Sequence, residues 1–189
     1  MRHTDKILPY LKKKLGSARF KHTLGTTKTA EALALAHGEN AENAVLAALL
    51  HDMARWMSAR QMIAYVKKYK VRVPDLENVV KYNPSLLHGF VGADMARRIF
   101  KVKDRSVLEA IALHTLGGPN MCRLAKILYL ADITSPDRRH SGVKTIKRLA
   151  EKDLDKAMTA ASASKIAFVL RKNAWLHPDA ARTWNSLIK

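Results

Sequence analysis

Apolar stretches separated by well-placed polar punctuation, with few β-branched alternations, predict helices from one end of the chain to the other. Ser17 is placed as the N-cap of a helix through FKHTLGTTKTAEALALA, and Gly38 as its stop. Asn40 caps ENAVLAALLH, and Ser58 with Gln61 forms a capping-box pattern ahead of MIAYVKKY. Asn83 and Pro84 open LLHGFVGADMARRIF, where Gly89, Gly92, Ala93 and Ala96 have the small-residue spacing expected where another helix approaches closely. Asp104 caps SVLEAIALHT, which Gly117 and Gly118 terminate. Asn120 is read as the start of MCRLAKILYLAD and ITSPDRRHSG as a loop, with VKTIKRLA, LDKAMTAASASKIAFVLRK and PDAARTWNSLIK as three closing helices. Pro9 argues against continuity of the first helical stretch. With no repeat, low-complexity tract or long linker, the predicted class is all-α in a single domain.

A chain of 189 residues buries about 70% of its unfolded surface and sustains a core without staples. Cys122 is the only cysteine, which excludes an internal disulfide and fits a reducing compartment. The N-terminal MRHTDKILPYLKKKLG lacks a signal-peptide core, and no stretch approaches the length of a membrane span. The expected setting is cytoplasmic. Thirty-four Lys and Arg against sixteen Asp and Glu leave a net charge of +18, a field that attracts polyanions without choosing among them. The basic residues are dispersed over many segments, as solvated helix faces would be.

What changes the picture is a set of polar residues that interrupt apolar helix stretches. They are His22 in FKHTLG, His51 and Asp52 in LLHDMA, His88 in LLHGFVG, His114 in AIALHTLGG and Asp132 in LYLADI. Each such segment is a separate helix, and burying these groups without partners costs several kcal/mol apiece, about 2–7 for a polar group and more for a charge. Imidazole and carboxylate form the donor set that suits zinc, manganese or iron. Asp132 would meet the unfavourable end of its helix dipole and needs a cation. His3, His37 and His140 sit in polar or terminal contexts and carry no such implication. From context alone Trp56, Trp175 and Trp184 read as packing residues, and Cys122 as an inert small one.

A histidine, a later His-Asp pair and a distant aspartate resemble the HD superfamily of metal-dependent phosphohydrolases. The strings HTLG, LLHD, LLHGFVGA, LHTLGGPNM, LADITSPDR and LHPD are similar to one branch of it, the YqeK-type symmetrical bis(5'-nucleosyl)-tetraphosphatases. The resemblance implies an HD-type helical domain over residues 1–189, with a core at about 17–135 and C-terminal helices 143–189 completing a nucleotide site. It implies cleavage of diadenosine tetraphosphate to two ADP with iron, as one or two ions, or manganese or another divalent metal. By position it makes His22, His51, Asp52 and Asp132 the principal metal ligands. His88 and His114 would complete a second metal site or bind substrate, and Asp52, His88 and His114 would carry the catalysis. The nucleotide contacts it implies are His22, Arg55, His88, His114, Thr115, Asp132, Arg138 and the stretch Trp175, His177, Pro178 and Asp179. His177 is also placed to cap the last helix. The chain departs from the branch at Ser135, where an acidic residue is common.

The partners expected are a dinucleoside polyphosphate or another nucleotide, with a nucleic acid admitted by the net charge, a homodimer allowed, and no membrane. Two readings compete with the symmetrical hydrolase. One keeps the metal but changes the reaction, to another nucleotide or to oxygen activation. The other is a non-catalytic basic helical module that binds nucleic acid.

Overall fold

The computed structural model describes residues 4–188, and His3 therefore lies outside the described residues. Among these the architecture is all-α. The helices are α1 (Thr4–Lys14), α2 (Ser17–Ala36), α3 (Ala41–Leu50), α4 (Ala59–Tyr69), α5 (Leu76–Tyr82), α6 (Leu87–Ile99), α7 (Arg105–Leu113), α8 (Arg123–Ile133), α9 (Val143–Ala150), α10 (Leu154–Arg171) and α11 (Pro178–Leu187). None is long and apolar enough to cross a membrane.

Helix α8 is the axis of the molecule. Leu124, Ala125 and every residue from Ile127 to Ile133 are buried, the pattern of a helix surrounded on all sides. Helices α2, α7 and α10 pack on it, α3 lies against α2 and α7, and α6 lies against α7. The closing helices α9 and α11 pack on α10, which itself lies along α8.

Local chemistry explains most boundaries. Asn40 accepts from Asn43 N, Asp104 accepts from Ser106 and Val107 N, and Ser58 with Gln61 closes a complete capping box. Gly38, at a φ of +62°, takes the left-handed conformation that ends α2.

Four expectations need correction. Gly16 rather than Ser17 is the N-cap of α2, Ser17 being its first helical residue, and no side chain caps that end. Helix α1 runs unbroken through Pro9; proline removes one backbone donor, and Ile7 and Leu11, both fully buried, anchor the helix on either side of it. Helix α8 begins at Arg123 rather than at Asn120, because Asn120 has a φ of +57° and cannot enter a right-handed helix. Cys122 is accordingly the N-cap, and its N–H donates to Glu109 Oε1 at 2.9 Å. Asn83 and Pro84 open a 3-10 turn over Pro84–Leu86, and α6 follows from Leu87. Helix α5 was not marked by the sequence pattern.

Candidate metal and nucleotide site

Five helices deliver the polar residues that interrupted the apolar pattern to one place. His22 comes from the body of α2, His51 and Asp52 from the end of α3, His88 from the start of α6, His114 from the end of α7 and Asp132 from the last turn of α8. All six are buried. His22, His51 and Asp52 offer ligand atoms within 4.8 Å of one another, and so do Asp52, His88 and His114. Asp52 belongs to both groups. Asp132 stands at the edge, with Oδ1 3.1 Å from His22 Nε2, and is gripped by the Arg138 guanidinium.

The ring orientations show what the cluster lacks. His51, His88 and His114 each donate Nδ1–H to a carbonyl three residues back, those of Ala48, Ser85 and Ile111, at 2.6–2.7 Å. In the neutral rings Nε2 is then a bare acceptor. His88 Nε2 and His114 Nε2 face each other at 2.9 Å, and they lie 3.4 and 3.7 Å from Asp52 Oδ1. Thr115 Oγ1 is 3.1 and 3.0 Å from the two nitrogens, but its one proton can serve only one of them. His51 Nε2 has no hydrogen-bond partner among the described residues, an omission that costs about 1–3 kcal/mol in a buried group. Acceptors converging in this way around a carboxylate fit a cation.

Electrostatics agree with that fit. Burial, the facing His114 and nearby Arg55 hold His88 well below the ordinary imidazole value. Burial lowers His114 too, with His51 adding to it against the pull of Asp52. Burial opposes a charge on His51, but Asp52 and Asp132 outweigh it and raise that ring. Burial likewise opposes ionisation of Asp52, yet His51, His114 and His88 hold it well below the carboxylate range. Asp132 is held low against burial by His22 and Arg138. The site thus combines ionised carboxylates with His88 and His114 rings that stay neutral, the state in which both coordinate metal, whereas the two carboxylates favour a proton on His51 that a bound cation would displace.

A cavity of about 440 Å³ opens beside the cluster, within the range of small-molecule sites. Arg55, Thr115, Asp132, Arg138, His140 and Lys165 line its polar part, and Leu116, Ile133, Ile166, Val169, Trp175 and Leu176 its apolar part. Lys165 donates to the carbonyls of His114 and Thr115 at 3.2 and 3.1 Å and lies 3.7 Å over the Tyr129 ring. Burial pushes its ammonium down to about 8, against the pull of Asp132. Arg55 also donates to Asp52 Oδ1 at 3.2 Å.

His177 has two roles: it lines the cavity, and its Nδ1 caps α11 by accepting from Asp179 N at 3.0 Å. Trp175 contributes to the wall and stacks on Tyr82. Pro178 and Asp179 are not in the wall; Pro178 is the first residue of α11, and the Asp179 carboxylate accepts from Arg182 at 2.8 Å.

Sequence reasoning left four residues out of the site, one of them, Ser135, noted only as a departure from the branch. Arg19 donates to Asp52 Oδ2 at 2.8 Å from one helical turn before His22. Ser135 and Asp137, in the loop after α8, reach the outer nitrogen of His22. Burial raises an aspartate, but Ser135 and His22 bring Asp137 down to about 2. Lys165 was visible as a lone cation in SASASKIAFVL, by the same criterion that picked out the histidines.

The model of the HD domain family matches residues 19–137. A protein of Halalkalibacterium halodurans named symmetrical bis(5'-nucleosyl)-tetraphosphatase is 34% identical over 97% of this chain and 96% of its own. A protein of the same name from Bacillus subtilis is 33% identical over 97% of each chain. A crystal structure from Clostridium acetobutylicum, described as a predicted HD superfamily hydrolase involved in NAD metabolism, superposes with a TM-score of 0.92 at 36% identity, over 97% of this chain and 96% of that one.

Proposed function

Because the chain belongs to the HD domain family, we propose that it is a metal-dependent hydrolase that cleaves diadenosine tetraphosphate symmetrically to two ADP. One observation carries this reading: a buried cluster of four imidazoles and two carboxylates shares Asp132 with a cavity whose polar wall is cationic and whose remainder is apolar. Cations meet phosphates, and the apolar wall meets a nucleoside.

His22, His51, Asp52 and Asp132 hold the metal, with His88 and His114 beside them as ligands of a second ion or as substrate contacts. A divalent ion in the cluster supplies a nucleophile at neutral pH and a sink for charge on the transferring phosphoryl group. Iron is our preferred ion; the donor set equally accommodates manganese. Arg138 presents a planar fork to a phosphate, and Arg55 and Lys165 add charge to the same wall. His88, His114 and Thr115 place a converging set of nitrogens and one hydroxyl where phosphoryl charge develops, a kind of contact worth about two to three orders of magnitude in rate. The wall from Trp175 to His177 bounds the nucleoside, so the C-terminal helices complete a site whose metal ligands all precede residue 135.

The test is anaerobic purification, loading with Fe²⁺ or Mn²⁺, and chromatography of diadenosine tetraphosphate after incubation. Two ADP, abolished by His51→Ala, is the expected result. ATP plus AMP refutes symmetric scission, and no turnover with either ion refutes the hydrolase. The net charge of +18 favours one further reading, a nucleic-acid partner. It predicts binding that weakens by about one slope unit in log salt per phosphate neutralised and survives His51→Ala.

A further inference from the structure

The four histidines of the cluster do not all fix their rings in the same way. His51, His88 and His114 stand at helix boundaries, where the backbone ladder is incomplete, and each borrows the carbonyl three residues back. His22 lies inside the 20 residues of α2, where carbonyls are already engaged; that of Arg19, three back, also accepts from Thr23 Oγ1. The orienting acceptor has to come from another segment.

It comes from the loop after α8. His22 Nδ1 lies 3.0 Å from both carboxylate oxygens of Asp137 and 3.2 Å from Ser135 Oγ. Ser135 Oγ in turn donates to Asp137 Oδ1 at 2.6 Å, which fixes the carboxylate. On the opposite side of the ring, Asp132 Oδ1 is 3.1 Å from Nε2. Two carboxylates therefore compete for the single proton of a neutral imidazole. If the proton sits on Nε2, facing Asp132, His22 cannot coordinate; if it sits on Nδ1, facing Asp137, Nε2 is free. The competition is unequal, because Arg138 engages Asp132, whereas the ion-pair partner of Asp137 among the described residues is His22 itself.

We propose that Asp137, braced by Ser135, is the positioning residue that keeps the His22 proton on Nδ1 and so makes Nε2 a metal ligand. This rests on the metal-dependent reading above. Carboxylates in this relation to a ligating histidine raise its basicity and fix its tautomer, and their loss weakens metal binding about 10–100-fold. The Asp137 side chain is 47% exposed, so its replacement leaves the packed interior intact.

The experiment has two readouts apart from turnover. Long-range ¹H–¹⁵N spectra of the metal-free chain report which nitrogen of His22 carries the proton. Competition with a chelator gives the affinity for Mn²⁺. In the wild type the proton is expected on Nδ1. Asp137→Ala should move it to Nε2 and weaken Mn²⁺ about 10–100-fold. Asp137→Asn keeps an oxygen that can accept from Nδ1 and should lose less than the alanine variant. Wild-type affinity in Asp137→Ala overturns the proposal, and so does a wild-type proton on Nε2. If Asp137→Ala proves unfolded by thermal scan, the wild-type spectrum and the asparagine variant decide in the same terms. A wild-type chain that takes up no Mn²⁺ or Fe²⁺ overturns the metal reading and removes the role proposed for Asp137, an outcome distinct from unchanged affinity in the variants.

Discussion

Gly89 and Gly92 lie one turn apart on α6 and should respond oppositely to alanine. A Cβ on Gly89 would sit 2.7 Å from the Ala112 carbonyl oxygen and 3.3 Å from that of Ile111. Carbon–oxygen contacts between packed elements begin at about 3.3 Å, so α6 and α7 must part by about 0.6 Å, with backbone rather than a flexible side chain giving way. Overpacking of this kind costs about 1–3 kcal/mol, and the helix propensity of alanine returns about 0.5–1. The net loss is about 1–2 kcal/mol, a fall in Tm of about 2–8 °C for a chain of this size. At Gly92 the Cβ meets its nearest atom, the His51 carbonyl oxygen, at 3.5 Å, an ordinary contact. Gly92→Ala should therefore gain about 0.5–1 kcal/mol. The Gly89 variant should damage the site as well, because the Ile111 carbonyl that would be displaced is the acceptor for His114 Nδ1 and a shift above about 0.5 Å exceeds what a preorganised site tolerates. Thermal unfolding of both metal-free variants, followed by Mn²⁺ titration, checks this. A Gly89→Ala chain as stable as Gly92→Ala would refute the close approach of α6 to α7.

Three further outcomes follow from the same geometry. Lys165→Met should raise KM for diadenosine tetraphosphate about 10–100-fold, the value of about 1.5–3 kcal/mol for a hydrogen bond to a charged group, with kcat less affected in steady-state assays; an unchanged KM would make Lys165 only a fastener of α10 to α7. Loading the cluster should raise Tm by about 8–16 °C at an ion concentration 1,000 times Kd, since binding to the folded state alone contributes about 4 kcal/mol, and a chelator should reverse the shift. Asp94 accepts from Tyr65, Arg97 and Arg98, contacts that hold it below the usual carboxylate value against its partial burial. Its stabilisation is then fully present above pH of about 4 and is lost as pH falls through the lowered folded value. Asp94→Asn should cost about 1 kcal/mol at pH 7, a small figure because both arginines are solvent-screened, and the difference from wild type should close as the pH drops below that range in acid unfolding curves.

The fold class and the buried His–Asp cluster were legible because both depend on residue type in local context. Capping residues at Asn40, Ser58 and Asp104 mark helix starts through their own side chains, and a histidine in an apolar run is conspicuous wherever the helix later packs. Helix α5 was not legible: its seven residues are too few to show a period. The start of α8 was missed because a left-handed residue at Asn120 is a backbone state, and asparagine also serves as an ordinary cap. Arg19, Ser135 and Asp137 were missed for a different reason. Charged and hydroxyl residues look like solvated surface; only the packing of α2 against α3 brings Arg19 to Asp52, and only that of α2 against α8 brings Ser135 and Asp137 to His22.

That division has a physical basis. The groups proposed as ligands must be buried, so they stand out against apolar neighbours; the groups that orient them need only a hydrogen bond and can remain half in water, where selection of residue type leaves little trace in a single sequence. Three of the histidines avoid the problem by standing at helix ends and using their own backbone. His22 cannot, because an unbroken α2 is also the surface on which α3 and α8 pack. The same continuity that places its ring at the centre of the cluster deprives that ring of a local acceptor, and the loop after α8 supplies one because Asp132, at the end of that helix, already brings the chain to the site.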